Sequence, residues 1–221
     1  MVRADFDRNL KTLEDDLISM GSMVEKAITK SLIGLKNRDL HLSRQVLEED
    51  DYIDQQRFRL EEQVIDLIAT QQPIAIDLRT LMAVLHIATE LERMGDYAEG
   101  IAKISVMMGD EPSLKPLIDI PRMAEKAITM LQHSLDALVD RDETAAMVVC
   151  NDDDEVDDLY DQIYRELLTY MIQDPVTIQR ATYLLWVAHD LERIADRATN
   201  IAERVIFLVT GRLTDINVSK S

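Results

Sequence analysis

A chain of 221 residues with a formal net charge of −18 is long enough to bury a large core, and it is poorly suited to nucleic acid or an anionic membrane surface, because both are polyanions. A single cysteine, Cys150, excludes an internal disulfide and a thiolate metal site, and is expected to act as a small buried apolar residue. No apolar run approaches the ~18 residues of a membrane span, the start Met1-Val2-Arg3-Ala4-Asp5-Phe6 lacks the basic-then-apolar pattern of a secretory leader, and scarce glycine and proline with plentiful Leu, Ile, Ala, Glu and Asp point to packed helices in a cytoplasmic protein.

In the first half, Phe6, Leu10, Leu13, Leu17, Met20, Val24 and Ala27 step by three and four, the period of a helix with one packed face, and this helix is expected to end near Asn37. Asp39 is the expected N-cap of a second helix running to about Ala69. Gln71-Gln72-Pro73 then stops that helix and opens a third, since proline lacks the amide a helix interior requires but fits a first turn. The only proline-rich link runs from Asp110 to Pro121. Beyond it the pattern returns. Met23, Glu25, Lys26, Ala27, Ile28 and Thr29 recur as Met123, Glu125, Lys126, Ala127, Ile128 and Thr129, Asp142 stands as the counterpart of Asp39, and Asp174-Pro175 repeats the helix stop. The expected fold is all-α, with two similar three-helix bundles related by an internal repeat over residues 1–109 and 122–211, a linker over 110–121 and a polar tail over 212–221.

The repeat is tightest where it is acidic. Thr89-Glu90-Leu91-Glu92-Arg93-Met94-Gly95-Asp96-Tyr97-Ala98 returns as His189-Asp190-Leu191-Glu192-Arg193-Ile194-Ala195-Asp196-Arg197-Ala198, an offset of 100 residues. Each Glu-x-x-x-Asp places two carboxylates on one helical face. The second helices add matching pairs: Asp50 and Asp153 interrupt otherwise apolar stripes, and Asp54 and Asp157 follow four residues later. Like charges at that spacing cost roughly 0.2–0.5 kcal/mol per pair, and more when half-buried. One arginine per half, Arg93 or Arg193, cannot neutralise four carboxylates, whereas a hard cation such as magnesium, manganese, calcium or oxidised iron can. The candidate metal ligands are therefore Asp50, Asp54, Glu92 and Asp96 in one cluster and Asp153, Asp157, Glu192 and Asp196 in the other. On spacing alone, a solvated acidic face carrying an arginine network explains the pattern equally well. Asp152 and Asp154 are expected to face solvent.

None of His41, His86, His133 and His189 has a glutamate three residues before it, so the Glu-x-x-His pairs of a di-iron bundle are missing. His189 is expected to be a hydrogen-bonded boundary residue. No Gly-x-Ser-x-Gly, phosphate-binding glycine loop or Gly-x-Gly-x-x-Gly occurs, which leaves no sequence warrant for hydrolysis, nucleotide binding or hydride transfer. A non-enzymatic regulator is the leading expectation. The alternatives are a metal-dependent carboxylate-bridged enzyme and a plain helical scaffold with solvated acidic faces.

Through Glu92-Arg93-Met94-Gly95-Asp96, Glu192-Arg193-Ile194-Ala195-Asp196, the paired aspartates of the second helices and the two-fold repeat, the chain resembles the PhoU family of phosphate-signalling regulators over essentially its whole length. The resemblance implies metal ions or small metal clusters (iron, manganese, magnesium, zinc or calcium) at both acidic clusters and no catalytic residues. It also implies a negative regulator of phosphate uptake and of the phosphate-starvation response, acting on the ATPase of a phosphate ABC transporter and on a sensor histidine kinase. Such a protein would be a cytoplasmic homodimer that reaches the inner membrane face only through those partners. Two departures from the family pattern, Ala195 where Gly95 stands in the first copy and Gly100 where Asn200 stands in the second, lead us to expect two related sites of different strength.

Overall fold

Asp39 and Asp142 open the second helix of each half. Asp39 Oδ1 accepts the Leu42 amide at 2.9 Å and Asp142 Oδ1 accepts the Ala145 amide at 3.0 Å, each satisfying an amide that a helix start leaves free. Arg38 and Arg141, just before these caps, take positive φ values of 56° and 53°, which lets the chain reverse within two residues. The computed structural model describes residues 2–212, so the expected polar tail lies outside the described residues except for Arg212. Six helices follow in order: α1 (Val2–Asn37), α2 (Leu40–Gln71), α3 (Ile76–Met108), α4 (Asp119–Asp140), α5 (Glu143–Gln173) and α6 (Ile178–Thr210). A single 3₁₀ turn, Pro175–Thr177, precedes α6, and no strand occurs among the described residues.

Each half is an antiparallel three-helix bundle. Along α2 and α3, Ser43 meets Ser105 at 2.9 Å, Ile53 lies against Gly95, and Arg57 reaches Glu92, so residue numbers rise on one helix as they fall on the other. Leu17, Met20 and Val24 of α1, Leu60 and Val64 of α2, and Leu81, Ile87 and Leu91 of α3 are fully buried and fill this bundle. Met123, Val156, Ile163, Leu184 and Leu191 do the same in the second.

The two bundles join through their third helices. Glu90 of α3 accepts hydrogen bonds from Arg197 and Asn200 of α6 at 3.1 Å each, while Gly100 of α3 faces the Asp190 carboxylate. These contacts exchange repeat-equivalent residues, so the halves are related by a pseudo-two-fold axis through the α3–α6 seam. A Cβ at Gly21 would collide with Leu135, which marks a second close approach, between α1 and α4.

The halves differ at their outer ends. In the first, Gln63 of α2 donates to Asp16 of α1 at 3.1 Å. Its counterpart Glu166 instead binds Lys115, whose side chain is 5% exposed and also lies 3.6 Å from Asp119. The segment 109–118 thus takes the place that the first turns of α1 hold in the other bundle. The helix α4 begins at Asp119, inside the stretch expected as linker, and Pro121 lies in its first turn, where no amide is required.

Candidate metal centre

The bundle geometry brings the eight candidate carboxylates into two groups, one between α2 and α3 and one between α5 and α6. In the first, Asp50 packs against Gly95. A Cβ at residue 95 would lie 3.3 Å from Asp50 Oδ1 and 3.1 Å from Ile53 Cδ1, so the glycine is what lets α2 approach this closely. Burial, followed by the charges of Glu99, Asp96 and Asp54, pushes the Asp50 carboxyl up to about 7. Burial also raises Glu92 and Asp96, with further repulsion among the acids of the cluster.

The second group is deeper. Asp153 is 7% exposed, and burial, followed by Asp196 and Asp157, pushes its carboxyl up to about 7. Asp157 and Asp196 are raised for the same first cause, desolvation. Ala195 adds the methyl that Gly95 lacks, and Val156 is smaller by a methylene than its counterpart Ile53. We read the pair as a volume exchange across the repeat. Gly95→Ala alone is expected to cost roughly 1 kcal/mol by overpacking, and Ile53→Val in the same chain is expected to recover most of it, as read by thermal melts.

Arginines already lie on the acids. Arg193 spans its cluster, with Nη2 3.1 Å from Glu192 and Nη1 3.0 Å from Asp196. In the first half the expected partner, Arg93, is exposed, and the guanidinium on Glu92 is that of Arg57, 3.4 Å away and also paired with Glu61 at 2.6 Å. Among the described residues, no three carboxylate, imidazole or thiol groups are gathered at ligand spacing around one point. The donor set nevertheless fits a hard cation: oxygen ligands only, clustered, with Asp50, Glu92, Asp96, Asp153, Asp157 and Asp196 raised first by burial and then by neighbouring acids. Such groups are relieved by a proton, an arginine or a metal ion.

The remaining expectations fall outside these clusters. Cys150 is buried, its thiol pushed up to about 12 by burial and by Glu203 and Asp153, and it is inert at neutral pH. His189 Nδ1 lies 3.2 Å from Glu192, and its ring is 6.4 Å from that of Tyr160. Asp154 is exposed and Asp152 is half-buried. Glu99, which lies close enough to both Asp50 and Asp96 to raise them, and which pairs with Lys103, was not singled out by the spacing argument.

The family model of the PhoU domain matches residues 17–105 and again 120–205, one match for each bundle. A protein of Clostridium acetobutylicum named phosphate-specific transport system accessory protein PhoU homolog is 40% identical over 218 residues, covering 98% of this chain and 100% of its own. The crystal structure of PhoU from Pseudomonas aeruginosa superposes with a TM-score of 0.90 at 35% identity, over 94% of this chain and 100% of that one. That of the phosphate transport system regulatory protein PhoU from Streptococcus pneumoniae gives 0.89 at 28%, over 96% and 100%. With the fold, the duplicated acidic pairs and near full-length identity in agreement, the chain belongs to the PhoU family.

Proposed function

We propose that this protein is an accessory regulator of a phosphate-specific transport system, and that it holds hard cations at its two acidic clusters. The relatives that carry this function in their names align over nearly the whole chain, which supports transferring the role. The metal part rests on one observation: each cluster combines four carboxylates, several of them raised toward neutrality, in a space their mutual repulsion disfavours. Asp50, Asp54, Glu92 and Asp96 would hold one site and Asp153, Asp157, Glu192 and Asp196 the other. Bound cations would change the charge of both faces and so the surface offered to the transporter ATPase and to a sensor kinase. In this reading the protein represses phosphate uptake and the starvation response from the cytoplasm, as a homodimer. No helix among the described residues is long and apolar enough to cross a membrane.

The test is a calorimetric titration of metal-free protein with manganese or iron, run near neutral pH in buffers of different protonation enthalpy. Raised carboxylates must release protons as the cation enters, so the apparent heat should depend on the buffer, and ligand at about 100 times its Kd should add about 2.7 kcal/mol of stability. Replacing the four acids of one cluster by alanine should abolish that cluster's share. A solvated acidic face held by arginines is the second reading, favoured by the Arg193 bridge. Absence of both proton release and stabilisation would decide for it.

A further inference from the structure

The internal repeat supplies a control for surface residues, since a position that the fold requires to be aromatic is aromatic in both copies. On the outward face of α5 and α6 this fails. Tyr160, Tyr164 and Trp186 stand where the first half carries Arg57, Glu61 and His86, so the same fold is built with three polar residues at these positions. In the first half Arg57 and Glu61 pair at 2.6 Å on this surface, beside exposed Leu78 and Met82. In the second, rings replace that ion pair, with Trp186 48% exposed and Tyr164 40%, while Ile178 keeps the apolar character of its counterpart Leu78.

Tyr160 lies 6.4 Å from both Tyr164 and His189, and on α6 Trp186 stands three residues before His189 with its ring 5.7 Å from that of Tyr183. The margin of this face is predominantly acidic. Asp154, Asp157, Asp158 and Asp161 are exposed along α5. Of the nearby arginines, Arg193 is committed to Glu192 and Asp196, and Arg165 bonds back to the Asp161 carbonyl.

We propose that the α5–α6 face docks an amphipathic basic helix of a partner protein. Its apolar side would cover Trp186, Leu185 and Ile178, and its lysines or arginines would meet the tyrosine faces and the aspartates of α5. Exposed tryptophan and tyrosine are the residues that most often anchor such contacts, because they bury a large area with few rotors. A second copy of this chain or an anionic bilayer would bring negative charge against negative charge. The proposal goes beyond the metal reading, since the rings and Asp154, Asp158 and Asp161 are not among the metal candidates.

Trp186 is the only tryptophan in the chain, so its fluorescence reports occupancy of the patch. The full chain, metal-free and again with manganese, is titrated with a leucine–lysine helical peptide, a leucine–glutamate peptide of the same pattern and a glycine–lysine peptide of the same charge. The expected result in both metal states is a saturable blue shift with the leucine–lysine peptide alone, and about tenfold or greater weakening by Tyr164→Glu, which imports the residue the first half already tolerates. Trp186→His, followed by anisotropy of labelled peptide, should weaken binding similarly. Equal binding of the glycine–lysine or leucine–glutamate peptide, or affinity unchanged by both substitutions, would overturn the proposal. So would an emission shift that depends on protein concentration alone, which would assign the face to a second copy.

Discussion

Titrated without metal, the protein is expected to lose stability as the pH rises from around 4 to around 7, and Asp153→Asn is expected to flatten that loss. In the folded chain the Asp153 carboxyl is pushed up to about 7 by burial and by the facing acids, whereas its ordinary value is 3.8. Between those values the native state holds a proton that the unfolded chain has released. Stability is therefore fully present below the ordinary carboxylate range and declines as the pH climbs through 7. A displacement of this size corresponds to at most about 4 kcal/mol, and about 2 kcal/mol once solvent and side-chain relaxation are allowed for. Asp50, also pushed up to about 7, acts in the same direction but is more exposed and contributes less. Asp153→Asn should raise the melting temperature by several degrees around pH 8 and leave it unchanged around pH 4. Saturating manganese should cancel the slope in the native sequence, because the cation replaces the missing protons. A pH-independent melting temperature in metal-free protein would show that the cluster is better solvated than its burial implies.

The second large effect compares one substitution at repeat-equivalent sites. Glu90→Ala is expected to destabilise the protein by about 2–4 kcal/mol, since it leaves the Arg197 guanidinium and the Asn200 amide in the seam without their acceptor. Both partners of that ion pair are largely buried, with side chains 17% and 16% exposed. Asp190→Ala should be neutral or stabilising around pH 8. Its carboxyl faces Gly100, which has no amide side chain to donate, and burial pushes it up to about 6. Ionised Asp190 is therefore a liability that alanine removes, and the benefit should vanish at acid pH, where the group is neutral in both states. Denaturant unfolding of the two variants at both pH values separates these outcomes. Equal losses would show that the seam is supported by packing alone.

Six helices, the caps of α2 and α5 and the repeat were legible because they depend on local chemistry. Asp39 and Asp142 bond the amides that their positions predicted, and α1 ends at Asn37. The acidic pairs were legible for the same reason, as a spacing of four residues fixes a face whatever surrounds it. Contacts between helices were not. Arg93 and Arg193 each follow a glutamate at the same spacing, yet Arg193 folds back onto Glu192 and Asp196 while Arg93 is exposed and Glu92 is reached by Arg57 from the antiparallel α2. Glu90 and Arg197 belong to the duplicated window, yet their pairing depends on the crossing of α3 and α6, which leaves no mark in either segment. The linker was readable as a break, from its prolines. That Lys115 is drawn into the second bundle by Glu166 and Asp119 was not, because its partners lie in different elements.

The seam between α3 and α6 also bears on how such a chain can evolve. Two identical subunits meeting on a two-fold axis must present the same residues to one another, so every buried charge is placed twice and must suit its own copy. Covalent linkage lifts that restriction. One repeat can keep a carboxylate at Glu90 while the other supplies Arg197 and Asn200, and neither change need be tolerated by a twin. The tether turns a self-complementary surface into a merely complementary one, and it lets the two acidic faces diverge while the fold between them stays the same.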